Sequence, residues 1–282
     1  MRVSSFIHAL KKYLPDSSVL DERPPFDGDL SAPLFVKGNE IGCLVLHGIG
    51  GTPANVRVVA DALAEKGYTV LSPVLPGHRE TVRAQNASTG EEWFDSVKRA
   101  YAQLKSGGCT QIYALGLSLG GVLCGLLAEE EQLDGLALIC TPIRMSRYLR
   151  TARLVSPVMP VVRYPETDAE GKSWGDNPYQ QMYGGFSTRK LADLARLGRR
   201  LQKNLRKISC PALIVSAKYD DKVDPVSVAI FRKGAVNAES AEYVRFENSP
   251  HGCTYGPEKE AVAQKCAEFV NALVDKKALA SV

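Results

Sequence analysis

A single serine stands between glycines in Gly116-Leu117-Ser118-Leu119-Gly120, where an apolar run ends. Gly-Ser pairs are ordinary turn chemistry, so the neighbours decide what this serine can do. "QIYAL" (111–115) reads as a strand and "GVLCGLLAEE" (121–130) as a helix. A serine at a sharp strand-to-helix turn has its hydroxyl lifted clear of the sheet, with the amides of the helix start aimed at whatever binds there. A hydroxyl is a weak nucleophile until a base takes its proton. The chain offers four histidines. His8 lies in an N-terminal amphipathic stretch, His47 ends an apolar strand, and His78 lies in "LPGHRE". His251, in "ENSPHGC" after the last apolar run, has the chain order expected of the base: nucleophile, acid, histidine. The acid is expected after "PALIVS" (211–216), in "AKYDDKVDP". Asp220 comes first there and is favoured, Asp221 is the alternative, and Asp224 before Pro225 suits a helix cap. An oxyanion needs two donors. The N–H of Leu119, just after the serine, and the N–H of Ile49, in the loop after "LVLHG", are the candidates. His47 is expected to hold that loop by hydrogen bonds. With the histidines dispersed and no H-x-x-x-H or C-x-x-C pattern, no metal site is expected.

These side chains need a scaffold that brings distant segments to one edge. Short apolar runs at 41–47, 68–73, 111–115, 134–140, 211–216 and 241–246 read as strands, with 33–38 as an added edge strand. Most are apolar throughout, as in a parallel sheet covered on both faces. Helical patterns at 53–66, 92–105, 119–130, 225–234 and 257–274 alternate with them. That alternation predicts a mostly parallel α/β sheet with right-handed crossovers. Residues 142–207 break it, being far longer than one crossover helix requires. This segment reads as a helical cap over the carboxyl ends of the strands, where open α/β sheets bind ligands. The predicted organisation is an N-terminal extension with an amphipathic helix (1–32), a core (33–141 and 208–282) and the cap (142–207).

With 282 residues, 45% of them hydrophobic, the chain can bury a sizeable core. No apolar run approaches the ~18 residues of a membrane-spanning helix. Seven scattered cysteines without paired spacing predict free thiols and a cytoplasmic setting. The net charge of +4 hides a division: residues 142–207 hold fourteen Lys and Arg against five Asp and Glu. A solvated face is the ordinary reading of such charge. The sharper expectation is that the basic cap draws in an anionic substrate or a membrane surface. No nucleic-acid-binding motif is present.

Taken in order, "LVLHGIGGTP", "PVLPGH", "GLSLGG", "CPALIVSAKYDDKVDP" and "SPHG" resemble the α/β-hydrolase superfamily over nearly all of residues 33–275, and within it small bacterial carboxylesterases and monoacylglycerol lipases. The resemblance implies a cap between the sixth and seventh strands. It implies Ser118, Asp220 and His251 as a triad, and Ile49 and Leu119 as the oxyanion hole. It also implies hydrolysis of small-molecule carboxylic esters, with short- to medium-chain acyl groups or monoacylglycerols, through an acyl-enzyme on Ser118 and without a cofactor. Thioester hydrolysis by the same route is the nearest alternative. A ligand-binding homologue without chemistry would have no need to keep all three triad residues.

Overall fold

The computed structural model describes residues 20, 21, 26, 28–152, 161–163, 177–183 and 185–280. After one helical turn, α1 (Gly28–Ser31), comes the edge strand β1 (Leu34–Val36). Strands β2 (Ile41–Leu46) and β3 (Thr69–Ser72) are separated by a 3₁₀ turn (Pro53–Val56) that runs into helix α2 (Arg57–Glu65). Helices α3 (Val82–Ala87) and α4 (Gly90–Ser106) lead to β4 (Gln111–Leu117), α5 (Leu119–Glu130) and β5 (Gly135–Ile139). Next come α6 (Arg147–Ala152), a two-stranded hairpin of β6 (Val161–Arg163) and β7 (Gly185–Ser187), and α7 (Thr188–Asn204). The chain closes with β8 (Ala212–Tyr219), α8 (Val226–Gly234), β9 (Ala241–Pro250) and α9 (Lys259–Ala280).

The main sheet has seven strands in the order β1-β3-β2-β4-β5-β8-β9. Only β1 runs antiparallel to its neighbour. The pleat sends alternate residues of β2 to opposite faces. Leu44 and Leu46 join a core with α4, α5 and α7, while Cys43 and Val45 join one with α2 and α9. This explains why the central strands are apolar throughout.

Two expectations need correction. Residues 142–207 fall between the fifth and sixth strands of this sheet, not the sixth and seventh. Among the described residues the sheet begins at Leu34, so only five strands precede the insertion. The last part of the insertion also does more than cover strand ends. Leu191, Leu194, Leu197, Leu201 and Leu205 belong to the core beside α5. There Gly125 makes room for Leu201, whose Cδ1 would lie 2.8 Å from an added Cβ. Helix α7 is thus the crossover helix from β5 to β8, and its apolar stripe is core-facing. The amphipathic stretch before residue 20 and the insertion's residues 153–160 and 164–176, Trp174 included, lie outside the described residues.

Candidate active site

Ser118 sits between β4 and α5 with φ 55° and ψ −114°. For a non-glycine residue this left-handed backbone costs about 1–3 kcal/mol and must be imposed by its surroundings. Two contacts impose it. The Ser118 N–H donates to the Ile139 carbonyl at 2.8 Å, and its own carbonyl accepts from Val122 N–H at 3.1 Å. The flanking glycines are required by close approach. A Cβ on Gly116 would stand 2.2 Å from the Gly120 carbonyl carbon, and one on Gly120 would stand 2.3 Å from the Leu46 carbonyl oxygen.

The parallel register brings the other two side chains to the same edge. Tyr219, the last residue of β8, pairs with Pro250, the last of β9, after a shift in the ladder beyond Ala217. The next residue on each strand is therefore Asp220 and His251. This pairing selects Asp220 over Asp221, which is exposed and bonds to Lys222 Nζ at 2.7 Å. His251 Nδ1 lies 2.9 and 3.0 Å from the two Asp220 oxygens, and its Nε2 lies 3.0 Å from Ser118 Oγ. A carboxylate on Nδ1 fixes the proton there and leaves Nε2 free to accept from the hydroxyl. Burial by itself would raise the Asp220 pKa. The positive field and hydrogen bond of His251, with the N–H groups of Val223 and Lys222, outweigh it and hold the carboxyl below the ordinary range. Those two N–H groups donate to Oδ1 at 3.0 and 2.9 Å. Asp224 caps α8 through Val226 N–H at 3.1 Å and also pairs with Arg144 at 3.0 Å.

Facing the serine is the loop after β2. A Cβ on Gly48 would lie 3.4 Å from the Ser118 Cβ. Among the described residues, neither Ile49 N–H nor Leu119 N–H has a backbone acceptor, so both are free to meet an anionic oxygen. His47 holds the loop from below: Leu75 N–H donates to its Nε2 at 3.1 Å, so Nδ1 carries the proton and donates to Gly48 O at 2.9 Å. His78 packs edge-on to His47 with ring centroids 5.0 Å apart. It accepts from Gln85 Nε2 at 3.0 Å, and its Nδ1 lies 3.2 Å from Pro76 O. Burial lowers these pKa values to about 4 for His47 and about 3 for His78, so both rings are neutral.

A sequence profile of the Alpha/beta hydrolase family matches residues 43–265. The chain belongs to the alpha/beta hydrolase family. It is 30% identical over 239 residues to the thermostable monoacylglycerol lipase of Bacillus sp. strain H-257, covering 84% of this chain and 93% of that one. It is 27% identical over 251 residues to a carboxylesterase of Bacillus subtilis strain 168, covering 86% and 96%. Among solved structures it superposes on one described with LipS and LipT, two metagenome-derived lipolytic enzymes. That match has a TM-score of 0.78 and 28% identity, and covers 89% of this chain and all of that one.

In this alpha/beta hydrolase, Ser118, Asp220, His251, Ile49 and Leu119 converge, while His8 lies outside the described residues. One group of metal-ligand type occurs among the described residues: Cys140, Asp220 and His251, with ligand atoms within 4.8 Å. Two of its three members already bond to each other. Five of the basic residues of the insertion pair with acids. Arg196 pairs with Glu91 and Asp193, Arg200 with Glu130, Lys190 with Asp193, and Arg144 and Arg150 with Asp224. Sequence reasoning gave no role to Asn55 and Tyr183, whose side chains bond to Tyr179 O and Gly77 O. A polar residue in the apolar start of a helical run and an Asn-Pro turn at 177–178 were their only signals.

Proposed function

We propose that this protein is a serine hydrolase of carboxylic esters, acting on short- to medium-chain acyl esters or monoacylglycerols. The observation that carries the reading is the unbroken line from Asp220 through His251 to Ser118 Oγ, each contact near 3 Å. The monoacylglycerol lipase and the carboxylesterase to which the chain is similar support the substrate class.

Ser118 Oγ attacks the acyl carbonyl and gives its proton to His251 Nε2. Asp220 holds the ring and stabilises the imidazolium by charge. The carbonyl oxygen becomes an oxyanion and receives hydrogen bonds from Ile49 and Leu119 N–H. Collapse breaks the C–O bond, and the leaving alkoxide takes the proton from Nε2. Water then attacks the acyl-enzyme, its proton passing to Nε2 and on to Ser118 as the acid departs. No cofactor is needed.

The described strap of the insertion, Asn177–Tyr183, covers this edge through its bonds to Gly50, Asn55 and Tyr255. Arg196 and Arg200 dock α7 on the body through Glu91 and Glu130, which favours a supporting role for this charge over the holding of an anionic substrate or a membrane. All seven cysteines are free and buried, which suits a reducing, cytoplasmic setting. No described helix is long and apolar enough to cross a membrane.

A panel of p-nitrophenyl esters of graded acyl length, with one thioester beside them, tests the reading. Ester turnover with a maximum at short or medium length is expected, together with fluorophosphonate labelling of Ser118. Turnover of the thioester alone, or labelling at another serine, would overturn it.

A further inference from the structure

Three segments far apart in sequence meet around the loop that carries Ile49. The first is the loop's own continuation. Asn55, 2% exposed, accepts Thr52 N–H on Oδ1 at 3.2 Å. The second is the loop after His251. Thr254 Oγ1 donates to the Asn55 carbonyl at 2.6 Å. The third is the strap Asn177–Tyr183 from the insertion. Asn55 Nδ2 donates to Tyr179 O at 2.7 Å, and Asn177 Nδ2 donates to Tyr255 O at 2.7 Å. The far end of the strap closes on the loop itself. Tyr183 N–H donates to Gly50 O at 3.4 Å, and Tyr183 Oη donates to Gly77 O at 3.0 Å. The Tyr183 ring lies against Gly50, where a Cβ would meet Cδ2 at 3.7 Å. The strap therefore spans from the loop behind the base to the loop bearing the oxyanion donor.

The residue between these ties is Ile49. His47 holds Gly48 O, Tyr183 holds Gly50 O, and Asn55 holds Thr52 N–H. The Ile49 N–H is left without a backbone acceptor at the centre of a loop pinned on both sides. An oxyanion donor is effective only when fixed before the charge develops, and displacement by about 1 Å can cost on the order of a hundredfold.

We propose that Asn55 and Tyr183 are positioning residues. Through them the strap of the insertion sets the height of Ile49 N–H and ties it to the His251 loop, making the insertion part of the catalytic geometry. This rests on the ester-hydrolase reading above. Positioning of this kind acts on the tetrahedral state and spares ground-state binding.

Asn55→Ala removes the node, and Asn55→Asp keeps the acceptor for Thr52 while setting a carboxylate oxygen against Tyr179 O. Tyr183→Phe keeps the ring and deletes only the bond to Gly77. The measurements are kcat, KM and affinity for an alkyl trifluoromethyl ketone, which forms a tetrahedral adduct with the serine. Both Asn55 variants are expected to lose about 10- to 100-fold in kcat, with KM changed less than about twofold. Affinity for the ketone should fall by the same factor as kcat. Tyr183→Phe, whose packing is intact, should lose about two- to fivefold in both, given the modest worth of one neutral hydrogen bond. Folded variants with wild-type kcat would overturn the proposal. So would a fall in kcat with ketone affinity unchanged, or Asn55 variants that do not fold beside a fully active Tyr183→Phe. Failure of the ketone to inhibit the wild type would sink the ester-hydrolase reading instead.

Discussion

Beneath the Ile49 loop and at the strand ends, imidazoles sit in the same tautomer with opposite consequences. His47 donates from Nδ1 to a carbonyl and accepts at Nε2 from a backbone N–H. His78 repeats the pattern with Pro76 O and the Gln85 amide. His251 has a carboxylate at Nδ1 and a hydroxyl at Nε2. An amide N–H does not surrender its proton, and a carbonyl offers an imidazolium little, so the buried pair can only hold. A hydroxyl can surrender its proton, and Asp220 stabilises the cation that results. Residue type and tautomer are thus shared, and the partners decide between tie and base.

The largest break comes at the strand ends. His251→Ala or Ser118→Ala is expected to cost on the order of 10⁶ in kcat with the fold intact, as when such a serine–histidine unit is broken. Burst kinetics with p-nitrophenyl acetate, beside a melting curve, check it. Asp220→Asn should follow at about 10⁴, because an amide facing Nδ1 favours the tautomer that cannot accept from serine. Asp221→Asn should change nothing measurable, since that side chain is exposed and meets Lys222. Equal losses at 220 and 221 would contradict the register argument.

The buried pair should fail differently. His47→Asn keeps a donor within reach of Gly48 O and leaves Leu75 N–H unpaired. A loss of about 1–3 kcal/mol of stability is expected, with activity falling only as far as the loop loosens. Acid sharpens the same contrast. His47 and His78 have folded pKa values of about 4 and about 3, below the ordinary histidine value. The unfolded chain therefore binds more protons than the folded one. Stability is full above the unfolded pKa near ~6.5 and falls as pH drops through the folded values, at up to about 1.4 kcal/mol per pH unit for each ring. Thermal melts at pH 7, 6 and 5 should show this slope, and it should be shallower in His78→Gln. A slope unchanged in that variant would mean that His78 takes its proton while folded.

Much of this was legible beforehand because strand patterns and site chemistry are local. The apolar runs, the serine turn and the surroundings of Asp220 and of His251 are each written in short consecutive stretches. What stayed hidden was relational. The sequence favours Asp220 over Asp221 only for coming first; the ladder shift that pairs Tyr219 with Pro250 and separates the two is announced by no residue type. Asn55 and Tyr183 act through backbone carbonyls of segments 124 and 106 positions away. Such bonds carry no sequence signature, since every residue has a carbonyl. The charge of α7 was visible in the sequence, but its partners Glu91 and Glu130 lie on other helices.

The smallest effect is expected from that charge. The basic run of α7 continues beyond its C-terminus, with Arg199 and Lys203 on the helix and Arg206 and Lys207 in the 3₁₀ turn after it, all exposed. The helix leads from the insertion back toward the start of β8, and so runs away from the strand ends that carry Ser118. At ~1.5 Å per residue Arg199 lies about 16 Å along the axis from Thr188. Salt screens exposed charges over about 8 Å at physiological ionic strength. Attraction of an anionic ester from that distance is therefore weak. Matched anionic and neutral esters should differ by less than about twofold in the salt dependence of kcat/KM, and Arg199→Glu should leave both unchanged. Arg200→Ala, which breaks an exposed pair with Glu130, should cost about 0–1 kcal/mol of stability. A severalfold fall with salt for the anionic ester alone, abolished by Arg199→Glu, would instead make the run a steering surface and join α7 to the active site it otherwise only supports.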